Sequence, residues 1–357
     1  MGSLFHPLIC RAVGRAPSAR VGRLWLACLL GFLGAGWAPT PAPAKTTERS
    51  QTNPASSPVL TGTDGWLFLS AEFRFLQTPV FWGGSGGGAS KGVSRSGTGE
   101  TTDPLEAIAH YRDQLAAEGI RLLLVPVPPK ALALRAKLPA EAAARVQADT
   151  LPRFFEQLRA RKVEVLDLLP VFAKGGSATG DALYCKTDSH WSGTGCQAAA
   201  RAIADALRPT LEAVPKRAFS SRTVSAEFVG DLSELQSPPS GAKETLPVRQ
   251  VSLETGEPLQ PDASSPLLLL GDSHTLVFHD FLAERAGLLD QLALETGVVP
   301  DLIGTRGSGA NAVRVSLLRR TIKDPAYLRS KRVVVWCFAA REFTEADPGW
   351  QKIPAKK

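Results

Sequence analysis

Two short stretches of this chain carry the residue types that acyl transfer needs. In residues 267–275 four leucines run into Gly271, Asp272, Ser273 and His274. In residues 187–191 the order is Thr-Asp-Ser-His-Trp, which sets Asp188 two places before His190. A serine hydroxyl is a weak nucleophile until a neighbouring base takes its proton. An imidazole oriented by a carboxylate is the usual solution, and the three members occur in any chain order. Ser273 is therefore the candidate nucleophile, His190 the general base and acid, and Asp188 the group that holds the ring. On an extended segment Asp188 and His190 share a face, and on a loop the short spacing still lets them meet. His274 is an alternative base, although side chains on adjacent residues point apart.

A tetrahedral intermediate also needs donors aimed at its oxyanion. The Ser273 amide is one candidate. Asn311, at a helix start after the Gly-rich residues 304–309, is another. Trp191, Arg341 and Lys130 complete the set of oxyanion- or substrate-binding candidates. Each feature has a plainer reading. Gly-Asp-Ser is a common turn, Asp188 and Ser192 both suit a helix N-cap, and Trp191 suits a core. Residues 304–309 lack the Lys-Ser/Thr ending of a phosphate loop. They read as a plain loop or a wall of the site.

The elements that must position these residues follow from apolar runs. Residues 267–270, 120–127 and 333–338 are nearly unbroken apolar stretches, as expected of strands buried on both faces. Gly271 should let the chain turn, so that Ser273 sits at a strand's carboxyl end, where open α/β sheets place ligands. Asp103-Pro104 should open a helix with Leu105, Ile108, Tyr111 and Leu115 on one face. Helices are also expected near 140–161, from Cys196 onward, from Ser273 to about Arg285, and over 311–322. A short strand is expected over 163–168, and short β-like pieces such as 246–251 within the irregular residues 208–262. Strands alternating with helices imply an α/β fold, three layers around a mostly parallel sheet, in a single domain over 59–345. Residues 83–102 read as a Gly/Ser-rich flexible insertion, and 346–357 as a tail.

Composition narrows the class. Of 357 residues, 44% are hydrophobic and 21% charged, which suits a globular core. Four arginines precede the apolar run 24–37, and a small-residue site ends at Ala44. Residues 1–44 thus read as an export signal, followed by a polar linker over 45–58. The run is short for a membrane span, so cleavage is expected over retention as an inner-membrane anchor. Removing the signal lowers the formal charge from +7 to about +3. With no dense basic run interleaved with aromatics, nucleic acid is not an expected partner. Of five cysteines, Cys185, Cys196 and Cys337 lie beyond the signal. Cys185 and Cys196 bracket the Asp188–His190 segment and could form a disulfide in an oxidising compartment, or all three could be small buried side chains. The spacings predict no zinc site, and no metal or cofactor is expected.

Taken together these stretches resemble the alginate O-acetyltransferase family, the AlgJ/AlgX-like group of the SGNH-hydrolase-like superfamily. The residues that carry the resemblance are DGWLFLSAEFRFL, GIRLLLVPVPPKALALRAKLP, TDSHW, GDSHT and VVVWCFAAREF. In that family Asp and His precede Ser, the reverse of ordinary SGNH esterases, and this chain has the permuted order. The resemblance implies that Ser273, His190 and Asp188 act as a triad through an acetyl-serine. It also implies a periplasmic enzyme that acetylates an exopolysaccharide, with acetyl supplied by a membrane-bound O-acyltransferase and other exopolysaccharide-assembly proteins as possible partners. A carbohydrate acetylesterase with the same triad, or a non-catalytic polysaccharide-binding assembly protein, are the alternatives. His274 stands where the family commonly has Phe or Tyr, and the chain resembles the shorter, single-domain members.

Overall fold

The computed structural model describes residues 57–83, 102–175 and 182–357, all belonging to the unit that spans 53–357. The expected signal segment, nearly all of the linker and most of the insertion over 83–102 lie outside the described residues.

The chain enters through an antiparallel pair, β1 (Val59–Thr61) and β2 (Leu67–Leu69), and passes into α1 (Ser70–Gln77). Next comes α2 (Pro104–Ala117), capped by Asp103, whose carboxylate accepts from the Leu105 N–H at 2.7 Å. β3 (Arg121–Val127) leads to α3 (Lys130–Ala133), α4 (Ala140–Ala144) and α5 (Thr150–Ala160). The last two divide the single helical stretch expected over 140–161. β4 (Glu164–Val165) and α6 (Leu169–Gly175) precede α7 (Gly193–Leu211), whose cap is Ser192. β5 (Phe219–Val229), α8 (Asp231–Leu235) and β6 (Lys243–Leu253) form a long antiparallel hairpin with a helical turn in its connection. Then follow β7 (Leu267–Gly271), α9 (Ser273–Leu276), α10 (Leu288–Thr296), β8 (Asp301–Gly304), α11 (Ala312–Lys323), β9 (Val333–Ala339) and α12 (Glu342–Glu345).

Five strands make one all-parallel sheet in the order β4-β3-β9-β7-β8. The two-residue alternation of a strand then sorts its side chains between two cores. Leu122, Leu124, Leu268, Leu270, Trp336 and Phe338 pack with α2, α5 and α11. Leu123, Val125, Leu267, Leu269, Val335 and Cys337 pack with α7 and α10. The sheet is thus the middle of three layers, as expected, and burial on both faces is why its central strands read as unbroken apolar runs. The register aligns Val125, Cys337, Gly271 and Gly304. The segments that follow β3, β9, β7 and β8 therefore leave the sheet at one carboxyl edge.

Two expectations are corrected. The helix expected from Ser273 to Arg285 stops at Leu276. Val277 is extended, and Phe278, Leu282 and Arg285 adopt φ of 63°, 65° and 61°, the left-handed region that ends a helix. Tertiary contacts outweigh the helical propensity of this stretch. Phe278 is fully buried with its ring 6.1 Å from Phe228 of the hairpin, and the Val251 N–H donates to the Arg285 carbonyl at 2.7 Å. Residues 346–357, expected as a tail, pack on the core instead. Trp350 is buried among Trp336, Phe338 and Phe343, and the Ala355 N–H donates to Gln114 Oε1 at 2.7 Å.

Candidate active site

Ser273 stands at the first turn after β7. Gly271 permits this less by its conformational freedom than by its size: a Cβ there would lie 1.9 Å from the Cys337 carbonyl oxygen and 2.5 Å from Thr275 Cγ2. Asp272 Oδ1 accepts from the His274 N–H at 2.9 Å and caps the short α9. The Ser273 N–H has no hydrogen-bond partner among the described residues.

The loop 186–191 brings the other two candidates to this turn. His190 Nε2 is 2.7 Å from Ser273 Oγ, and His190 Nδ1 is 2.7 Å from Asp188 Oδ1. Asp188 Oδ1 also accepts from the His190 N–H at 2.9 Å, and Oδ2 accepts from the Asp231 N–H at 2.9 Å. All three side chains are buried, with Ser273 at 8% the most exposed, so the contacts are weakly screened. Burial alone would push the His190 pKa down, but the Asp188 hydrogen bond and charge outweigh it and hold it above the ordinary value. Burial likewise favours the neutral form of Asp188, yet the His190 contact and the N–H donors of Asp231 and His190 leave its pKa depressed.

The loop is held from three sides, mostly by residues the sequence does not advertise. Lys130, directly after β3, is fully buried and donates from Nζ to the carbonyls of Asp188 (2.9 Å) and Lys186 (3.1 Å), beneath the rings of Trp66 and Phe68. Burial lowers its pKa to about 8. Lys130 is therefore a support of the loop and does not face substrate. Glu244 of β6 accepts from the N–H groups of Lys186 (2.6 Å) and Thr187 (2.8 Å) and from the Thr187 hydroxyl. Asp231, at the start of α8, accepts from Ser189 N–H (2.7 Å) and Oγ–H (2.6 Å). Gly230 just before it must be glycine, because a Cβ would lie 2.3 Å from the Thr187 carbonyl oxygen. A Gly-Asp pair hints at a helix start, but nothing local in the sequence ties Glu244 or Asp231 to a loop some 40 to 60 residues away.

A second Asp–His pair lies alongside. His274 Nδ1 is 3.2 Å from Asp272 Oδ1, and Asp272 Oδ2 accepts from the Ala339 N–H at 2.7 Å. The His274 ring is 4.8 Å from that of His190 and edge-on to Trp191 at 5.3 Å. Burial keeps the His274 pKa below its ordinary value despite Asp272, with the charge on His190 adding to the effect. Asp272 itself titrates at about 2: burial opposes ionisation, but the charge and hydrogen bond of His274 and the Ala339 N–H prevail.

The remaining candidates divide. Arg341 follows β9 at the same sheet edge and is half-buried, with Nη1 enclosed and unpartnered among the described residues. Its charge helps to lower the pKa values of Asp272 and His274, and at Glu342 it opposes the burial that raises the pKa to about 7. Asn311 is corrected as an oxyanion donor. Its Nδ2 donates to the Gly349 carbonyl, and its Oδ1 accepts from Arg314 Nη2 at 2.7 Å and the Gln351 N–H at 3.3 Å, so the amide ties down the chain terminus. Trp191 is corrected as a substrate-binding candidate and takes its plainer reading, a core side chain. It is fully buried and walls the site behind His274. The Cys185–Cys196 disulfide is corrected too: both are free, buried thiols, as is Cys337. Cys185 Sγ donates instead to the Trp191 carbonyl at 3.3 Å. Ligand atoms of Asp188, His190 and Asp231 lie within 4.8 Å of one another, near enough for a metal ion. Their hydrogen bonds to each other, to Ser273 and to Ser189 instead fit a proton relay.

A parallel α/β/α sheet with buried Ser-His-Asp contacts at its carboxyl edge is an arrangement suited to acyl-group chemistry. The SGNH hydrolase-like domain of the acetyltransferase AlgX matches residues 59–288, and the chain belongs to that family, as its motifs suggested. It is therefore an acyltransferase. It is similar to the probable alginate O-acetylase AlgJ of Pseudomonas putida, with 25% identity over 312 residues covering 82% of this chain and 73% of the relative. AlgJ of Pseudomonas fluorescens is 23% identical over 310 residues, 82% of this chain and 71% of the relative. The fold is shared with the O-acetyltransferase domain of Pseudomonas putida AlgJ, at a TM-score of 0.60 and 24% identity over 80% of this chain and 92% of that one. It is also shared with Pseudomonas aeruginosa AlgX, at 0.56 and 19% identity over 81% and 66%. Among the described residues no helix is long and apolar enough to cross a membrane.

Proposed function

We propose that this protein is a periplasmic enzyme that transfers acetyl groups to hydroxyls of an alginate-like exopolysaccharide through an acetyl-Ser273 intermediate. The observation that carries this reading is the unbroken chain of 2.7 Å contacts from Ser273 Oγ through the His190 ring to Asp188. Ser273 Oγ attacks the acetyl carbonyl as its proton passes to His190 Nε2, while Asp188 fixes the ring and stabilises its cation. The unpartnered Ser273 N–H receives the developing oxyanion, and the guanidinium of Arg341 is the side-chain donor we assign beside it. The donor's leaving group takes the proton from His190. An acceptor sugar hydroxyl then gives its proton to the same Nε2 and attacks the acetyl-serine; as the new ester forms, the acetyl–Oγ bond breaks and Nε2 passes the proton to Ser273 Oγ, restoring both side chains. The names of the AlgJ and AlgX relatives support a role in exopolysaccharide assembly. A membrane-bound O-acyltransferase as acetyl supplier completes the reading.

The test is intact mass of the purified protein with an activated acetyl ester, with and without a short uronic-acid oligomer. Wild type should gain one acetyl, discharged to the oligomer, and Ser273→Ala should gain none. Discharge to water alone would make the protein an esterase. An unreactive wild type would leave it a binding protein that retains the fold.

A further inference from the structure

One charged group near the site has no part in the chemistry above. Arg306 lies in the loop after β8, is exposed, and makes no ion pair or hydrogen bond among the described residues. Its guanidinium sits 4.1 Å from the centre of the Phe281 ring, and that half-buried ring meets the His190 imidazole edge to face at 5.6 Å. The cation is thus one aromatic ring away from the general base.

Its position is set by the sheet. On one side the Thr305 N–H donates to the Gly271 carbonyl at 3.0 Å, and Gly304 is packed so tightly that a Cβ would lie 2.4 Å from Leu276 Cδ2. On the other side Gly309 presses on Asp272, where a Cβ would lie 3.0 Å from the Asp272 nitrogen, and its carbonyl accepts from Trp336 Nε1 at 2.9 Å. Two of the anchors, Gly271 and Asp272, immediately precede Ser273. An arginine stacked on an aromatic ring keeps its planar fork of donors free for a carboxylate, with much of its rotamer freedom already restricted. Asp280, next to Phe281 in the chain, is turned toward His279, 3.9 Å away, and makes no ion pair with Arg306.

We infer that Arg306, held on Phe281, is the acceptor-selecting residue of this enzyme and binds the carboxylate of a uronic-acid unit next to the hydroxyl being acetylated. The inference rests on the acetyl-transfer reading of the triad.

The experiment compares two acceptors, a uronic-acid oligomer and the same oligomer with its carboxylates reduced to hydroxymethyl groups. Acetyl transferred is expressed per acetyl-enzyme formed, which removes differences in loading. Wild type should prefer the uronate form, and Arg306→Ala should lower that preference about fivefold, through KM rather than kcat, as expected for a partly solvated charge pair. Arg306→Lys should retain part of the preference, and high salt should erode it in wild type. A wild type without preference, or an Arg306→Ala variant with the same preference, overturns the inference. Uronate affinity is also measured in Ser273→Ala and in Ser273→Ala combined with Arg306→Ala. There, equal affinities overturn the Arg306 inference even if the acetyl-serine reading holds. A weaker double variant supports it even if no acetyl-serine forms.

Discussion

The two Asp-x-His segments of this protein are built alike and behave differently. In both, one carboxylate oxygen accepts from the backbone N–H of the histidine two residues on and faces its Nδ1. In both, the other oxygen accepts a backbone N–H from a different element, Asp231 in one and Ala339 in the other. Yet the His190 pKa is raised and the His274 pKa lowered. The ring-to-carboxylate distance is 2.7 Å in the first pair and 3.2 Å in the second, and only His190 has Ser273 at its far nitrogen. The spacing makes a rigid pair, and what the far nitrogen meets decides whether that pair does chemistry.

Swapping matched positions should break this comparison most sharply. His190→Ala or Ser273→Ala should reduce acetyl loading by about 10³-fold or more, whereas His274→Ala should cost less than about tenfold. Stopped-flow release from an activated acetyl ester measures both, and equal losses would mean that the two pairs share the proton. Asp188→Asn should cost about 10²-fold or more, because the amide leaves the ring free to take the wrong tautomer. Asp272→Asn should act mainly on thermal stability.

The pH profile sharpens the same contrast. His190 must be neutral to accept the Ser273 proton, so loading should fall about tenfold per unit below a midpoint above the ordinary histidine value of about 6.5. On stability the signs are opposite. The raised His190 pKa gives stability that is full below about 6.5 and lost as pH rises through the folded value. The lowered His274 pKa gives stability that is full above about 6.5 and lost as pH falls through its folded value. Chemical denaturation of His190→Gln and His274→Gln across pH 5 to 8 separates the two. Loading that is flat over that range would count against His190 as base.

A smaller effect belongs to the support. Lys130→Met leaves the carbonyls of Asp188 and Lys186 without their buried donor and should cost about 2 kcal/mol or more, read from denaturant midpoints. Loading should fall along with stability if the loop carries His190 into place.

What the sequence disclosed follows from range. β3, β7 and β9 stood out because burial on both faces demands unbroken apolar runs, and the α2 and α7 caps, Asp103 and Ser192, were local signals. β4 falls inside the short strand expected over 163–168, although only Glu164 and Val165 pair with the sheet. β8, with Asp301 paired to Lys331 at 3.1 Å, breaks the apolar rule and gave no strand signal. Ser273, His190 and Asp188 were found because Gly-Asp-Ser and Asp-x-His are short motifs. Asn311 and Trp191 were misplaced for the converse reason. Their type suited the site, but their neighbours, Gly349 for one and the fully buried wall behind His274 for the other, are set by tertiary packing.

The hairpin of β5 and β6 stands apart from the central sheet, and a two-stranded ribbon has little stability of its own. It nevertheless carries Glu244, and its connection carries Gly230 and Asp231, which grip the loop of Asp188 and His190. The nucleophile thus stands on the central sheet, whereas the base depends on a ribbon outside it that packs on α7 and α10. On warming, the enzyme should fall silent by local opening of this ribbon while the sheet is still intact. Exchange of the Thr187 and Ser189 amide hydrogens should accelerate at the temperature where activity is lost, well below that at which β7 and β9 begin to exchange.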